Sequence, residues 1–228
     1  MTAVIAAAGS GERLGAGGPK AFVPLAGRPM IAWSLDACLG CESVAGVVVA
    51  VPAGHEHGLG SIERVVTVDG GATRAESVAN ALGVVATEYV AIHDAARPLV
   101  TPALLDDLVS LLAGDPDAAG AIAAAPVTDT VKKVRVEFRV QSNQSSTPVI
   151  DETLDRSQLW GAQTPQVFRT DALRQALQVE RRVRDAATDE AMLIERAGGK
   201  VLLHDAGAAN LKVTTPLDLR VAELALEV

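Results

Sequence analysis

Apolar segments alternate with polar, glycine-rich segments through the first half of the chain. The apolar runs predict buried strands at residues 2–7, 44–51, 65–68, 89–93 and 118–127. The segments between them carry apolar residues at helical spacing and predict helices at residues 29–39, 73–85 and 101–112. Nearly every residue of one run, VAGVVVAV at 44–51, is apolar, which is typical of a parallel strand covered on both faces. We therefore predict a three-layer α/β domain with a mostly parallel sheet.

Residues 131–155 depart from this alternation. Two loosely alternating stretches, VKKVRVEFRV and VIDETL, flank a turn-forming segment, SNQSSTP. The pattern predicts a protruding β-hairpin arm. Such an arm buries too little apolar surface alone, so we expect it to pack on a second subunit. The alternative is a surface excursion without regular structure.

The segment after Trp160 returns to alternating helices and strands. Thr164-Pro165 predicts a turn, and residues 200–204 predict a strand. Further helices are predicted at residues 170–179, 188–196 and 216–226. Because no repeat and no linker interrupts the pattern, we predict one domain over residues 1–228, with residues 131–155 as its arm.

The overall charge narrows the choice of partners. The formal net charge is −8, and the densest basic run, RRVR at 181–184, is interpreted as a solvated helix face. Nucleic-acid binders are usually basic, so we expect no nucleic-acid partner. An acidic protein can still bind an anionic small molecule where a few cations converge. No apolar run approaches the ~20 residues that span a bilayer, and we expect a cytoplasmic protein with no membrane partner.

The two cysteines, Cys38 and Cys41, raise the question of a metal or redox site. With His55 and His57 they could form a zinc site. A redox pair is expected to open a helix, where the helix dipole favours the thiolate, but this pair ends a predicted helix. We therefore interpret both residues as ordinary thiols.

A glycine-rich stretch, AAAGSGERLGAGGPK, follows the first predicted strand. It departs from the dinucleotide pattern because Leu14 stands where the third glycine belongs, and it lacks the Gly-Lys-Ser/Thr of a Walker loop. Gly9 and Gly11 allow backbone N–H groups to turn toward an anion, and Arg13 and Lys20 add positive charge. The stretch therefore predicts a phosphate-binding loop; the alternative is a glycine-rich turn with cations facing solvent.

Two further motifs follow predicted strands and could face the same ligand. In HDAARP, Asp94 could hold Mg²⁺, which prefers one or two carboxylates with substrate phosphates, and Arg97 could meet a second anion. Asp94 could instead cap a turn, and His93 is interpreted as structural. In GGATRAES, Gly71 precedes a helix whose N-terminus could read a base edge; the alternative is a turn with a capped helix.

These motifs, together with DTVKK, LDRSQLW, QTPQVF, TDEAMLIE and NLKVTTPLDL, span residues 3 to about 219. In this order they resemble the 2-C-methyl-D-erythritol 4-phosphate cytidylyltransferases. The resemblance implies a Rossmann-like nucleotidyltransferase fold with an arm that clasps a second subunit. It also implies transfer of CMP from CTP to the sugar phosphate, with release of pyrophosphate. The related ribitol-5-phosphate cytidylyltransferases remain an alternative, as does a non-catalytic nucleotide-binding module or a purely structural dimerisation protein.

The resemblance also implies roles for individual residues, with Mg²⁺ bridging the triphosphate. Those implied to act on the CTP phosphates are Arg13, Lys20 and Lys212. Those implied to bind the sugar phosphate are Asp94, Arg97 and Thr130, with Arg156 and Thr164 completing the site across the dimer. Those implied to hold the nucleotide are Ala7, Ala8, Gly9, Gly11, Gly71, Ser77 and Ala95. Two features depart from the family: Ala72 replaces a common acidic residue, and the arm is longer than expected.

Overall fold

The structure is a computed structural model that describes residues 1–9, 18–54, 59–137 and 147–227. Its strands are β1 (Thr2–Ala6), β2 (Pro24–Leu25), β3 (Arg28–Pro29), β4 (Gly46–Val51), β5 (Val65–Asp69), β6 (Tyr89–Asp94), β7 (Ala118–Pro126), β8 (Lys132–Glu137), β9 (Thr147–Thr153), β10 (Trp160–Arg169) and β11 (Lys200–Asp205). Its α-helices are α1 (Met30–Leu39), α2 (Arg74–Leu82), α3 (Pro102–Ala113), α4 (Thr170–Ala176), α5 (Arg181–Asp185), α6 (Glu190–Arg196) and α7 (Pro216–Leu226).

The described residues form a seven-stranded sheet in the order β11-β7-β10-β6-β1-β4-β5. Every strand in it runs parallel except β10, which is antiparallel to both of its neighbours. Alternate residues of the strands face opposite sides, so apolar residues at successive positions bury both faces. Ile5 lies in one apolar core with α1 and α3, whereas Val4 lies in the other with α2, α4 and α6. The predicted three-layer α/β architecture is confirmed.

The turn predicted at Thr164-Pro165 is wrong. These residues lie inside β10, which runs between β6 and β7. The pairing with β7 is interrupted between Ala162 and Gln166, and the Thr164–Pro165 peptide bond is cis. Proline lacks an N–H group and cannot donate to the ladder, which accounts for the local irregularity. The pairing of β10 with β6 and β7 keeps the chain in the sheet.

The predicted β-hairpin at 131–155 is confirmed. β8 and β9 pair antiparallel from Lys132 opposite Thr153 to Glu137 opposite Thr147, and they form a two-stranded sheet separate from the main one. Most of the intervening turn lies outside the described residues. Val134, Val136 and Ile150 are each about half exposed, so the hairpin presents apolar surface to solvent. Its role in dimerisation stays a prediction.

A third, smaller apolar cluster lies apart from the two faces of the sheet. Its buried members are Leu25, Met30, Val213 and Ala222, with the partly buried Val23, Trp33, Leu211, Leu219 and Leu226 packed against them. We call it the satellite core. It joins the short β2–β3 hairpin to α7. Among the described residues, no helix has the length and apolar character needed to cross a bilayer.

The two cysteines lie at the end of α1, as the sequence predicts. Both are buried, and burial raises the pKa of Cys38 to about 12 and that of Cys41 to about 11. The thiols therefore stay protonated near neutral pH, and this disfavours the thiolate that zinc binding or redox chemistry requires. His55 and His57 lie outside the described residues.

Candidate active site

A cleft of about 680 Å³ opens at the carboxyl ends of β1 and β6. The last residues of these neighbouring strands, Ala6 and Asp94, are paired in register. Ligands of open parallel sheets bind at this edge, outside the ends of the strands. The described residues lining the cleft are Ala6, Ala7, Ala8, Gly9, Lys20, Ala21, Gly71, Ala72, Thr73, Arg74, Ser77, Asp94, Ala95, Ala96, Lys212 and Thr214.

The cleft brings together most of the residues implied for the nucleotide and its phosphates. Those that line it are Ala7, Ala8, Gly9, Lys20, Gly71, Ser77, Ala95 and Lys212, and Asp94, implied for the sugar phosphate and Mg²⁺, lines it as well. Lys20 returns to the end of β1 because its backbone N–H donates to Gly9 O at 3.2 Å. Arg13 and Gly11 lie outside the described residues, so their roles stay predictions.

The GGATRAES motif, which follows β5, packs directly against the start of the glycine-rich stretch that follows β1. A Cβ atom on Gly70 would lie 2.4 Å from Ala8 Cβ and 3.1 Å from Val51 O. Real Cβ atoms do not make contacts as short as the one with Ala8, and the one with Val51 O is tight, so only glycine allows the two segments to approach this closely. The close approach brings Gly71 and Ala72 to the cleft.

Two backbone N–H groups of this motif, those of Gly71 and Ala72, are used inside the motif itself. Gly71 N–H donates to Ser77 Oγ at 3.0 Å, and Ala72 N–H donates to Glu76 Oε2 at 2.8 Å. Thr73 Oγ1 caps α2 by accepting from Glu76 N–H at 3.1 Å. The N–H groups of Gly71 and Ala72 are therefore already bonded and are not available to a base edge in this arrangement. The hydroxyl of Ser77 accepts from Gly71 N–H and donates to Thr73 O, so it supports the loop. Its contact with the ribose stays a prediction.

Four side chains of alternating charge form a linear series of ion pairs that leads to the cleft. Glu190 Oε2 accepts from Arg74 Nη1 at 2.5 Å, and Arg74 Nε donates to Asp94 Oδ1 at 2.9 Å. Lys212 Nζ donates to the other oxygen of Asp94, Oδ2, at 2.6 Å. Glu190 is 1% exposed, whereas the Lys212 side chain is 43% exposed toward the cleft. Lys212, the positive end of this series, is thus the end that a ligand can reach.

The ionisation of Asp94 is controlled by its two cationic neighbours. Burial alone would raise the pKa of this carboxyl, but the positive charges of Arg74 and Lys212 outweigh burial and hold the pKa well below its usual range. Burial also raises the pKa of Glu190, and the adjacent Arg74 opposes that rise. Asp94 is therefore a carboxylate at neutral pH, fixed in place by two charge-assisted hydrogen bonds.

His93 lies behind Asp94 and is fully buried. Burial lowers the pKa of His93 to about 4, so the imidazole is neutral. Thr164 Oγ1 accepts from the Asp94 N–H at 3.0 Å and lies 3.3 Å from His93 Nδ1, while His93 Nε2 lies 3.2 Å from Arg97 O. These contacts assign the ring proton to Nε2, with Nδ1 accepting from the threonine hydroxyl. Thr164 and His93 therefore orient the backbone of the HDAARP motif.

Three further residues implied for the sugar phosphate do not line this cleft in the described part of the chain. Arg97 is buried, and its guanidinium donates to Asn210 O at 2.6 Å and to Ala162 O at 3.5 Å. Thr130 is exposed at the base of the arm, and Arg156 is exposed there and donates to Thr128 O. Arg97 connects three segments of the chain, whereas Thr130 and Arg156 are exposed and are not among the residues that line the cleft.

The sequence did not single out Arg74 and Glu190 as site residues, although Arg74 lies in the GGATRAES motif and Glu190 in TDEAMLIE. A signal was available for Glu190. It shares the buried face of α6 with Ala191, Leu193 and Ile194, so it is an acidic residue at an apolar position. A carboxylate in such a position requires a buried cation, because charges are almost never fully buried unless they are paired. The identity of that cation, Arg74, required the fold.

Comparison with known proteins supports the resemblance along the whole chain. The model of the family described as 2-C-methyl-D-erythritol 4-phosphate cytidylyltransferase matches residues 1–228. A protein of that name from Parasynechococcus marenigrum is 44% identical over 233 residues, covering 99% of this chain and 97% of the relative. One from Aeromonas hydrophila is 41% identical and covers 100% of this chain and 90% of the relative.

The fold agrees with the sequence. The crystal structure of the protein of that name from Thermus thermophilus has a TM-score of 0.78 against this chain at 32% identity, covering 100% of this chain and 98% of the other. The enzyme from Francisella tularensis has a TM-score of 0.78 at 28% identity and covers 98% of each chain. From this agreement in sequence and fold over its full length, the chain belongs to the 2-C-methyl-D-erythritol 4-phosphate cytidylyltransferase family.

Proposed function

We propose that the cleft binds CTP next to 2-C-methyl-D-erythritol 4-phosphate and that the protein transfers CMP between them in the cytoplasm. The products are 4-diphosphocytidyl-2-C-methyl-D-erythritol and pyrophosphate. The observation that carries this proposal is the convergence of Lys20, Lys212 and the ionised Asp94 on one cleft at the carboxyl ends of β1 and β6. Cations on a cleft wall of an acidic protein fit a substrate that carries a triphosphate.

The reaction needs positioning and charge stabilisation more than covalent help. An oxygen of the methylerythritol phosphate attacks the α-phosphorus of CTP. A new P–O bond forms, the bond to the bridging oxygen breaks, and pyrophosphate leaves. The attacking phosphate is already ionised at neutral pH, so no general base is required. Both reactants are anions, and fixed cations lower their mutual repulsion before and during the transfer.

Lys212 has a resting position that suits this work. Its ammonium group is held at the cleft by Asp94, and its exposed part can turn toward a phosphate oxygen. Asp94 keeps its second cationic partner, Arg74, when Lys212 turns away. The carboxylate therefore stays compensated during turnover, and Lys212 can exchange one anionic partner for another.

Asp94 also fits the predicted Mg²⁺. It is ionised, it faces the cleft, and each of its oxygens retains a lone pair beyond the hydrogen bond to Arg74 or Lys212. No group of three or more metal-ligating side chains occurs within the described ranges, so an ion here would take its other ligands from phosphates and water. This is the arrangement that Mg²⁺ prefers. When bound, the ion would neutralise charge on the triphosphate and make pyrophosphate a better leaving group.

A pyrophosphate-release assay tests the function and separates it from its nearest alternative. With CTP and Mg²⁺, we expect release to depend on methylerythritol phosphate and to be at least about tenfold faster than with ribitol 5-phosphate at equal concentration, a difference of ~1.4 kcal/mol in transition-state binding. Faster release with ribitol 5-phosphate would contradict the choice of substrate. Binding of NAD without any release would indicate a nucleotide-binding module instead.

We further propose that two copies of the chain form a homodimer through the arm and that each arm completes the cleft of its partner. Support comes from the exposed apolar side chains of the arm and from the position of Thr130 and Arg156 outside the cleft of their own chain. A symmetric dimer would place the same residues of each chain at the partner's site.

Mixing two inactive variants tests the shared site. Arg156→Ala and Lys20→Ala proteins are unfolded together and refolded in equal amounts, and turnover is measured. Half of the dimers are then mixed, and each mixed dimer has one intact cleft, so we expect roughly a quarter of the wild-type activity. Activity no higher than that of the separate variants would contradict a shared site.

A further inference from the structure

We propose that α7 and the satellite core are a positioning device that fixes the separation of the two lysines of the cleft, with Ala222 as its central residue. The inference rests on the proposed function of Lys20 and Lys212. Its basis is that the segment after Lys20 and the segment that carries Lys212 both insert apolar residues, Val23 with Leu25 and Leu211 with Val213, into the satellite core. Ala21 and Phe22, next to Lys20, pack instead in the core that contains Ile5, so the satellite core is the second of two anchors of that segment.

The segment after Lys20 is tied to the satellite core by a short series of hydrogen bonds. Val23 N–H donates to Lys20 O at 3.2 Å, and Met30 N–H donates to Val23 O at 2.9 Å. Trp33 Nε1 donates to Leu25 O at 3.1 Å, which fixes the β2–β3 hairpin on α1. The backbone of Lys20 is thus connected to two fully buried residues, Leu25 and Met30.

The segment that carries Lys212 enters the same cluster from a distant part of the sequence. Leu211 and Val213, its two neighbours, both pack in the satellite core, while the Lys212 side chain lines the cleft. Val213 N–H donates to Ala96 O at 2.8 Å, which ties this segment to the residues after Asp94. A shift of the satellite core would therefore move Lys212 relative to Asp94 and to Lys20.

Helix α7 contributes its buried surface to this cluster and not to the main sheet. Ala222 is its one fully buried residue, and Leu219 and Leu226 pack beside it. Thr215 and Asp218 cap its N-terminus in a reciprocal capping box, so the helix starts immediately after the Lys212 segment. The opposite face carries Leu217, Val221 and Leu224, which are exposed. The packing of α7 thus bears on the segment after Lys20 and on the segment that carries Lys212.

The size of residue 222 sets how closely α7 approaches these segments. Ala222 is 0% exposed, so a larger side chain has no room and must displace the helix or its neighbours. Catalysis by positioned charge is sensitive to small displacements, and a misplacement of about 1 Å can lower turnover about a hundredfold. Enlarging Ala222 should therefore lower turnover without removing any group that contacts a substrate.

The test compares Ala222→Leu with Ala225→Leu, which makes the same change at a more accessible position of the same helix. We expect kcat per CTP-binding site to fall between about tenfold and a hundredfold for Ala222→Leu and to stay within about twofold for Ala225→Leu. Calorimetric titration counts the CTP-binding sites, so a loss of folded protein cannot imitate a loss of kcat. Hydrogen exchange in β1, β4 and β6 should stay at the wild-type rate.

A second pair of variants decides the question if Ala222→Leu does not fold. Leu219→Ala should lower kcat per site at least about fivefold. Leu219→Met, which nearly conserves the side-chain volume, should keep kcat near the wild-type value. Wild-type kcat in Ala222→Leu, or in Leu219→Ala where that pair is used, would overturn the proposal. Wild-type kcat in Lys20→Ala and Lys212→Ala would instead overturn the proposed function, so the two failures are distinguishable.

Discussion

Replacing Lys20 or Lys212 by alanine should lower kcat at least about a hundredfold, which corresponds to ~3 kcal/mol of transition-state stabilisation. Each lysine brings a positive charge to the cleft where two anionic substrates must meet. Negative charge on the transferred phosphoryl group is redistributed in the transition state, and a fixed cation there acts on kcat more than on ground-state binding. Steady-state pyrophosphate release with saturating CTP measures the effect.

Lys200→Ala provides the matched control for both variants. Lys200 also forms a short ion pair, with Asp115 at 2.6 Å, but its side chain is 54% exposed at the start of β11 and does not line the cleft. An exposed ion pair is screened by solvent and contributes little to stability, so turnover and thermal stability should stay near wild type. Normal kcat in Lys20→Ala and Lys212→Ala would contradict a catalytic role for the cleft.

Lys212→Ala should also change the pH dependence of turnover. Two cations hold the pKa of Asp94 below its usual range: Arg74, bonded to one carboxylate oxygen, and Lys212, bonded to the other. Lys212→Ala leaves only Arg74 to stabilise the carboxylate, so the pKa of Asp94 should rise toward its ordinary value. The acid limb of the rate profile should therefore move to higher pH in Lys212→Ala and stay unchanged in Lys200→Ala.

The parts of this fold that could be predicted from sequence are those governed by local pattern. Runs such as 44–51 and 118–127 are apolar at successive positions, which is typical of a strand covered on both faces. Once the sheet is parallel, the residues after each strand lie at the same edge. The loop after β1 and the HDAARP motif after β6 therefore come together at the cleft, as the sequence predicts.

The parts that sequence could not give depend on partners far away along the chain. The Thr-Pro pair of β10 has the local character of a turn, but β6 and β7 on either side hold it in the sheet. Arg74 and Glu190 are 116 residues apart, and nothing near Arg74 in the sequence distinguishes it from a solvated arginine at the start of a helix. Local propensity carries no information about such pairs, whose formation follows from the fold that brings α2 and α6 to the same apolar core.

Replacing Arg74 by alanine should lower the free energy of unfolding by about 3–5 kcal/mol near pH 8, the usual consequence of removing one partner of a buried ion pair. Glu190, at 1% exposure, would keep its charge with no cation beside it. Denaturation in urea measures the loss. Arg181→Ala is the control, because Arg181 is 70% exposed and pairs with Asp185 on the surface, so its replacement should change stability by no more than about 0.5 kcal/mol.

The loss in Arg74→Ala should also depend on pH, and its sign follows from Glu190. Burial already raises the pKa of this carboxyl while Arg74 opposes the rise, so without Arg74 the pKa rises further above its unfolded value. A carboxyl with a raised folded-state pKa favours the folded state below its unfolded pKa of about 4.3 and loses that contribution as the pH rises through the folded-state value. Relative to wild type at the same pH, Arg74→Ala should therefore be less destabilised near pH 5 than near pH 8.

A second substitution identifies the group responsible. Glu190→Gln in the Arg74→Ala background removes the buried charge and keeps the shape of the side chain. The double variant should be more stable than Arg74→Ala near pH 8, and the pH dependence of the loss should disappear. Asp94 cannot produce the same pattern, because it keeps Lys212 as a partner and stays ionised through this pH range. If the double variant were as unstable as Arg74→Ala at both pH values, the destabilisation would come from lost packing around Arg74 and not from an unpaired carboxylate.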